Sequence, residues 1–159
     1  MRFFVLVTAM MAISGVVKAQ TSNFSGNWQL DKGRTELGNV PASAISASLE
    51  VHQQKDSIFI DRIGIIRVLE GLPIVGGPTQ VNFPGGSKLA SIEFIDNGSK
   101  MLENSTYTMN GTGQGVVYPA KSTESWTLAD NNHTLQIMRT VEMTNSSSYS
   151  VKAVYTKQD

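Results

Sequence analysis

The sequence predicts an all-β chain, an antiparallel up-and-down β-barrel of about eight to ten strands. Three observations carry this. Apolar and polar residues alternate in short segments, and no stretch of about 12 residues holds a helical period. Turn residues separate nearly all neighbouring segments at hairpin length. The chain has no cysteine, so its stability rests on packing and on a closed hydrogen-bond network.

The segments follow in order. The first strand is Gly26–Asp31, and a connection holding Gly33, Gly38 and Pro41 follows it. The second is Ile45–Gln54, with Ile45, Ala47, Leu49 and Val51 on one face and Ser46, Ser48, Glu50 and His52 on the other. Lys55-Asp56 turns the chain at Ser57, where Ile58 and Ile60 share a face. The segment then runs into Ile63-Gly64-Ile65-Ile66 and Arg67-Val68-Leu69, with Gly64 marking a bulge or bend. The glycines and prolines of Gly71–Pro78 predict an apolar loop. Thr79–Phe83 is a short strand ending at Pro84-Gly85-Gly86. Lys88–Ile95 and Lys100–Met109 form a hairpin about Asp96-Asn97-Gly98, residues that tolerate positive φ. A glycine-rich connection, Gly111–Pro119, leads to Ser122–Ala129. Asp130-Asn131-Asn132 turns that strand into His133–Met143, and Asn145–Ser148 leads into Tyr149–Lys157. A meander of this kind leaves exposed edges unless it closes, and closure favours a barrel.

Residues 1–19 read as a signal peptide. Met1-Arg2 is a basic start, an apolar run follows, and Val17-Lys18-Ala19 places small side chains at the positions read for cleavage before Gln20. The run of about 15 apolar residues is short of the roughly 20 needed to span a bilayer. Residues 20–159 then form one domain. Without Arg2 and Lys18, 11 of the 13 basic side chains face 13 acidic ones, a net of about −2. No basic stripe suits nucleic acid, and no second apolar segment suits a membrane. The expected location is the periplasm or the exterior of the cell. Asn-x-Ser/Thr triplets start at Asn23, Asn97, Asn104, Asn110, Asn132 and Asn145. The signal has a bacterial form, so these are read as products of a chain rich in Asn, Ser and Thr, with glycan attachment as the alternative.

Gly26-Asn27-Trp28 puts a large indole at the start of the first strand, where it would plug one end of a barrel. On the strand His133–Met143, Arg139 is the one charge on a face of Leu135, Ile137, Val141 and Met143. A buried guanidinium needs a partner, and the Trp28 ring is one candidate. The alternative is an arginine beside a bulge or reaching out at a strand end.

Gly26-Asn27-Trp28, "FSGNWQLD" around it, "ESWTL" and "NNHTLQIMRTV" later, and "VYTK" near the end resemble small secreted lipocalin-like proteins of bacteria, within the calycin superfamily. Two lipocalin features are missing: a Thr-Asp-Tyr-type motif between mid-chain strands, and a helix after the last strand. The resemblance implies a lipocalin-like barrel that binds a small apolar molecule at its open end, with Trp28 closing the other.

Candidate ligand-contacting positions are Leu72 and Ile74 in the apolar loop, and Phe94, Tyr107, Trp126 and Tyr155 on strand faces. Gly26, Trp28 and Arg139 form the candidate plug. For Trp126, core packing with Leu128 is the competing role. The loop Leu72–Val75 is a lid over a cavity mouth, a partner contact or a cap folded onto the barrel. An interior of about eight strands is either filled by side chains or holds one small ligand.

Little in the chain points to catalysis. His52 and His133 lie far apart in sequence and read as surface residues, so no metal site is expected. Glu93, Glu103 and Glu124 sit on separate strands, and solvated faces are their default. There is no Gly-x-Ser-x-Gly elbow. Gly85-Gly86-Ser87-Lys88 lacks the order of a phosphate loop, and Gly111, Gly113 and Gly115 precede no helix. No cofactor is expected. The leading expectation is a non-catalytic binding barrel; the alternatives are a structural or protein-interaction barrel with a filled interior, and an enzyme using the barrel mouth, which would need a pair of carboxylates within one pocket.

Overall fold

The computed structural model describes residues 21–110, 117–143 and 148–159. The expected signal peptide at 1–19 lies outside them, as do most of the Gly111–Pro119 connection and the triplet beginning at Asn145.

Ten antiparallel strands are formed by the described residues: β1 Gly26–Leu30, β2 Ser48–Gln53, β3 Ser57–Ile63, β4 Val68–Pro73 and β5 Thr79–Phe83, then β6 Gly86–Ile95, β7 Lys100–Asn110, β8 Val117–Ala129, β9 Thr134–Met143 and β10 Tyr149–Gln158. They lie in one sheet of order β4-β3-β2-β1-β10-β9-β8-β7-β6-β5. β1 pairs with β10, Trp28 opposite Lys157 and Leu30 opposite Tyr155. That ladder joins the first strand to the last. β4 and β5 touch side by side without a ladder between them. The result is a nearly closed up-and-down barrel, consistent with a calycin-like fold.

The pattern that predicts strands also fills the interior. Leu49 and Val51 of β2 and Ile58 and Ile60 of β3 are buried. Met101 of β7, Trp126 of β8 and Leu135 and Ile137 of β9 complete the lower wall. At that end Phe24 packs edge-on to Trp126, ring centroids 6.2 Å apart, and tilts against Phe94 at 6.2 Å. Trp28 is 1% exposed, and its Nε1 donates to the Phe24 carbonyl at 3.0 Å. The end marked by Gly-x-Trp is thus closed by aromatic rings.

Both long hairpins turn as the sequence predicts. Asp96, Asn97 and Gly98 have φ of 51, 56 and 84°, and Asp130, Asn131 and Asn132 have φ of 50, 53 and 67°. Gly98 has a second duty. A Cβ there would lie 2.9 Å from Thr21 Cα, where the segment entering β1 crosses and Ser22 N–H donates to the Gly98 carbonyl at 2.8 Å.

One segment differs from expectation. Gly71–Pro78 is not a loop throughout, because its first three residues, Gly71 to Pro73, complete β4. Leu72 is fully buried in the core, and Ile74 is half-buried and donates its N–H to Asp56 at 2.9 Å. Glycine and proline are tolerated because β4 pairs on one side alone, so the N–H that Pro73 lacks breaks no ladder. Gly71 also makes room for Phe59, whose ring would lie 3.1 Å from a Cβ. In an alternating meander the β4–β5 turn falls at the same end as the β2–β3 and β6–β7 turns. Leu72 and Ile74 therefore belong to the closed Trp28 end and not to the opposite rim.

Candidate functional site

The barrel interior changes character halfway along its axis. Above the aromatic end lies a belt of charge. Val151, Arg139, Glu124, Glu103 and Ile92 are successive ladder partners across β10, β9, β8, β7 and β6. The register thus lines three ionisable side chains up on one inner row. Arg62 of β3 reaches this row from the opposite wall. Its Nη2 donates to Glu103 Oε2 at 2.6 Å and to Glu124 Oε2 at 2.8 Å, and its Nε donates to Glu70 Oε1 at 2.8 Å. Lys88 of β6 ties Glu103 Oε1 at 2.5 Å to Glu70 Oε1 at 2.8 Å.

Arg139 completes the set. Its Nε is 2.7 Å from Glu124 Oε1 but misaligned for a hydrogen bond, so that contact acts as a charge pair. Its other nitrogens donate to the Ala44 carbonyl at 3.1 Å and the Tyr107 hydroxyl at 3.3 Å. Trp126 Nε1 donates to Glu124 Oε2 at 3.0 Å, and the Arg62 guanidinium lies 5.4 Å from the Trp126 ring centroid. Three cations (Arg62, Lys88 and Arg139) balance three carboxylates (Glu70, Glu103 and Glu124).

Charges buried this deeply persist because they compensate one another. For Glu124, burial acts to raise its pKa, but Arg62 and Arg139 outweigh it and hold the carboxyl well below the usual range. Burial lowers the affinity of Lys88 for its proton, and Glu103 and Glu70 more than reverse that. Glu70 is the exception. Burial pushes its carboxyl above the usual range, Glu103 adds to the shift, and Arg62 and Lys88 do not cancel it. Its Oε1 accepts from two cations, while its Oε2 accepts from none of the described residues.

Above the belt the barrel opens. A cavity of about 310 Å³ has Arg62, Glu70, Lys88, Tyr107 and Arg139 in its polar part. Its walls are apolar: Ala44, Ile65, Ile66, Val68 and Phe83. A second cavity, about 520 Å³, lies between the β1–β2 connection and the β3–β4 turn, among Leu30, Leu37, Ala42, Ile45 and Ile65. It is the larger, but it lacks the buried ionic groups. Gly64 and Ile65 line both. A void of about 20 Å³ beside Tyr155 has room for about one water.

The structure distributes the expected site residues unevenly. Tyr107 lines the mouth cavity. Tyr155 is buried beside the small void, its hydroxyl donating to the Ser46 carbonyl at 3.1 Å. Trp126 is wholly buried beneath Arg62, Leu72 lies in the core, and Phe94 and Ile74 pack against that core. Arg139 does not stack on Trp28. The cation over that indole is Lys157, with Nζ 5.3 Å from the ring. Register decides this, since Trp28 pairs directly with Lys157 while Arg139 pairs with Glu124.

Arg62, Glu70 and Lys88 were not among the expected site residues. A signal for Arg62 existed, because the period-two face of Ile58 and Ile60 extends to it. Glu124 likewise shares a face with Trp126. The inward pattern of these strands was readable, but a charge on it looked like solvent exposure. His52 pairs with Glu50 at 2.9 Å on the half-exposed outer surface. Among the described residues no three His, Cys, Asp or Glu side chains group to hold a metal. Nor is any described helix long and apolar enough to cross a membrane.

Comparison with protein-family models, curated proteins and solved structures gives no match. The consistency with a calycin-like fold therefore rests on the barrel alone.

Proposed function

We propose that this is an exported, non-catalytic lipocalin-like barrel that binds one small, mainly apolar molecule at its mouth. The observation that carries the reading is the cavity of about 310 Å³ on the far side of the charge belt from Trp28. Its size falls at the lower end of small-molecule sites, and an apolar wall with a few fixed polar groups is the usual composition of such sites. The signal-like residues 1–19 support export to the periplasm or the cell exterior. Each cation of the belt already meets at least one carboxylate, which suits a scaffold better than acid–base chemistry.

Native mass spectrometry of protein purified from its own host tests the reading, with a co-purifying small molecule as the expected outcome. A chain that carries nothing and takes up no lipophilic probe would overturn it.

A second reading, a protein-interaction barrel, draws on a different face. Ile65 is 80% and Leu69 68% exposed, with Phe59 and Ile63 nearby on β3. On that reading Ile63→Ser with Leu69→Ser abolishes partner capture and leaves ligand uptake intact, since neither residue lines the mouth cavity.

A further inference from the structure

The second cavity, about 520 Å³, has no part in the reading above. Its size lies within the range of small-molecule sites, and its wall is apolar, built by Leu30, Leu37, Ala42, Ile45 and Ile65. Two lining residues carry polar side-chain groups, Thr35 and Lys32. The Thr35 hydroxyl is already engaged, donating to the Asp31 carbonyl at 2.7 Å and accepting from the Val154 N–H at 3.1 Å. The charges around Lys32 form pairs that leave it out. Arg34 Nε meets Asp31 Oδ2 at 2.7 Å, and Lys152 Nζ meets Glu36 Oε1 at 2.8 Å. Lys32 is exposed and makes no ion pair among the described residues. The mouth cavity is the opposite case, since Arg62, Lys88 and Arg139 there each already meet a carboxylate.

We infer that the second cavity is a site of its own, for a single-chain amphiphile with an anionic head. The alkyl chain lies against Leu30, Leu37, Ile45 and Ile65, and Lys32 meets the head group at the rim. A lysine suits that place because its flexible stem can follow an apolar wall while its ammonium stays in water. The chain leaves water and both charges keep their hydration, so neither carries the cost of a buried ion. The inference does not rest on the mouth cavity's being filled.

Titration calorimetry with decanoate, decyltrimethylammonium and decanol tests this. Decanoate should bind more tightly than the ammonium. Lys32→Met should weaken decanoate about two- to fivefold, the worth of one exposed ion pair, and leave decanol unchanged. Lys32→Glu should invert the order of the two charged chains. Decanoate that binds no better than the ammonium, or that Lys32→Met leaves untouched, would overturn the inference. A second arm locates the chain. Ala42 lines the second cavity alone and Ala44 the mouth cavity alone. Decanoate binding should be lost in Ala42→Trp and kept in Ala44→Trp, and the reverse result would overturn the inference. Pelleting with phosphatidylglycerol vesicles, without any uptake of decanoate, would assign Lys32 to a membrane surface and overturn it as well. Should Ala42→Trp not fold, the substitutions at the exposed Lys32 decide alone.

Discussion

Lys157 lies across Trp28 with its ammonium 5.3 Å from the indole centroid, and Gly26 is what gives it room. A Cβ at position 26 would sit 2.6 Å from Lys157 Cε, and Gly26 holds φ of 150°, which side-chain-bearing residues seldom adopt. The spacing of glycine and tryptophan in Gly26-Asn27-Trp28 thereby acquires a physical meaning. The glycine clears a path for the lysine on the neighbouring strand to cover the tryptophan.

Gly26→Ala should destabilise by about 1–3 kcal/mol through backbone strain and displacement of Lys157. Lys157→Met should cost about 0.5–1 kcal/mol, the worth of an exposed cation–π contact. Denaturant unfolding of the two variants measures both. Equal costs would mean that the glycine matters solely through the lysine.

Trp28→Ala removes one of the two buried indoles of the closed end and orphans the Phe24 carbonyl that accepts from it. The expected loss is about 3–5 kcal/mol. Thermal unfolding close to that of the wild type would refute its role as the plug.

Lys88 holds Glu70 and Glu103 together, so Lys88→Met leaves two buried carboxylates short of a cation. A loss of about 3–5 kcal/mol is expected. Adding Glu70→Gln to the same chain should recover part of that loss, because one of the stranded charges is gone. A double-mutant cycle reads the coupling, and strict additivity would show that the two groups do not interact.

Stability should depend on pH through Glu124 and Glu70 with opposite signs. The folded value of Glu124 lies below its ordinary 4.5, so its contribution is complete above pH 4.5 and is lost as the pH falls through the folded value. The folded value of Glu70 lies above 4.5, so its contribution is complete below pH 4.5 and is lost as the pH rises through the folded value. Unfolding free energies across acid to neutral pH should show Glu124→Gln flattening the acid limb and Glu70→Gln flattening the decline on the other side. Parallel curves for the wild type and both variants would contradict the assignment.

Ala44 lines the mouth cavity, and the contact it gives the belt is its carbonyl, which accepts from Arg139. Ala44→Trp should fill the cavity and lower uptake of a lipophilic probe at least about tenfold, a loss of about 1.4 kcal/mol in affinity. Its unfolding midpoint should stay near that of the wild type. Unchanged uptake would place the binding site elsewhere, with the second cavity beside Leu37 and Ile45 the next to examine.

Much of the barrel was legible because period-two alternation and turn chemistry are local. Asp96-Asn97-Gly98 and Asp130-Asn131-Asn132 declare their hairpins without reference to the rest of the chain. Gly71–Pro78 misled because the tolerance of β4 for glycine and proline comes from its place at the seam, a non-local fact. The charge belt was harder still. Whether Glu103 and Glu124 face water or Arg62 depends on which strand lies across the barrel, and strand spacing alone carries no such information. Arg139 shows the limit most plainly. Its inward face was readable, but a choice between Trp28 and Glu124 as partner needs the inter-strand register.

The ladder between β1 and β10 makes the order of strands around the barrel a cycle in which the first and last strands are already neighbours, and the β4–β5 turn spans the single step with no ladder beneath it. A circular permutant that joins the end of β10 to the start of β1 by a linker and begins at β5 would keep every ladder of the sheet. Its new termini would flank the seam, where the backbone contributes least and the Glu70–Lys88 ion pair holds the walls together. In architectural terms the molecule is a ribbon whose natural cut lies at the seam and not where its chain begins and ends.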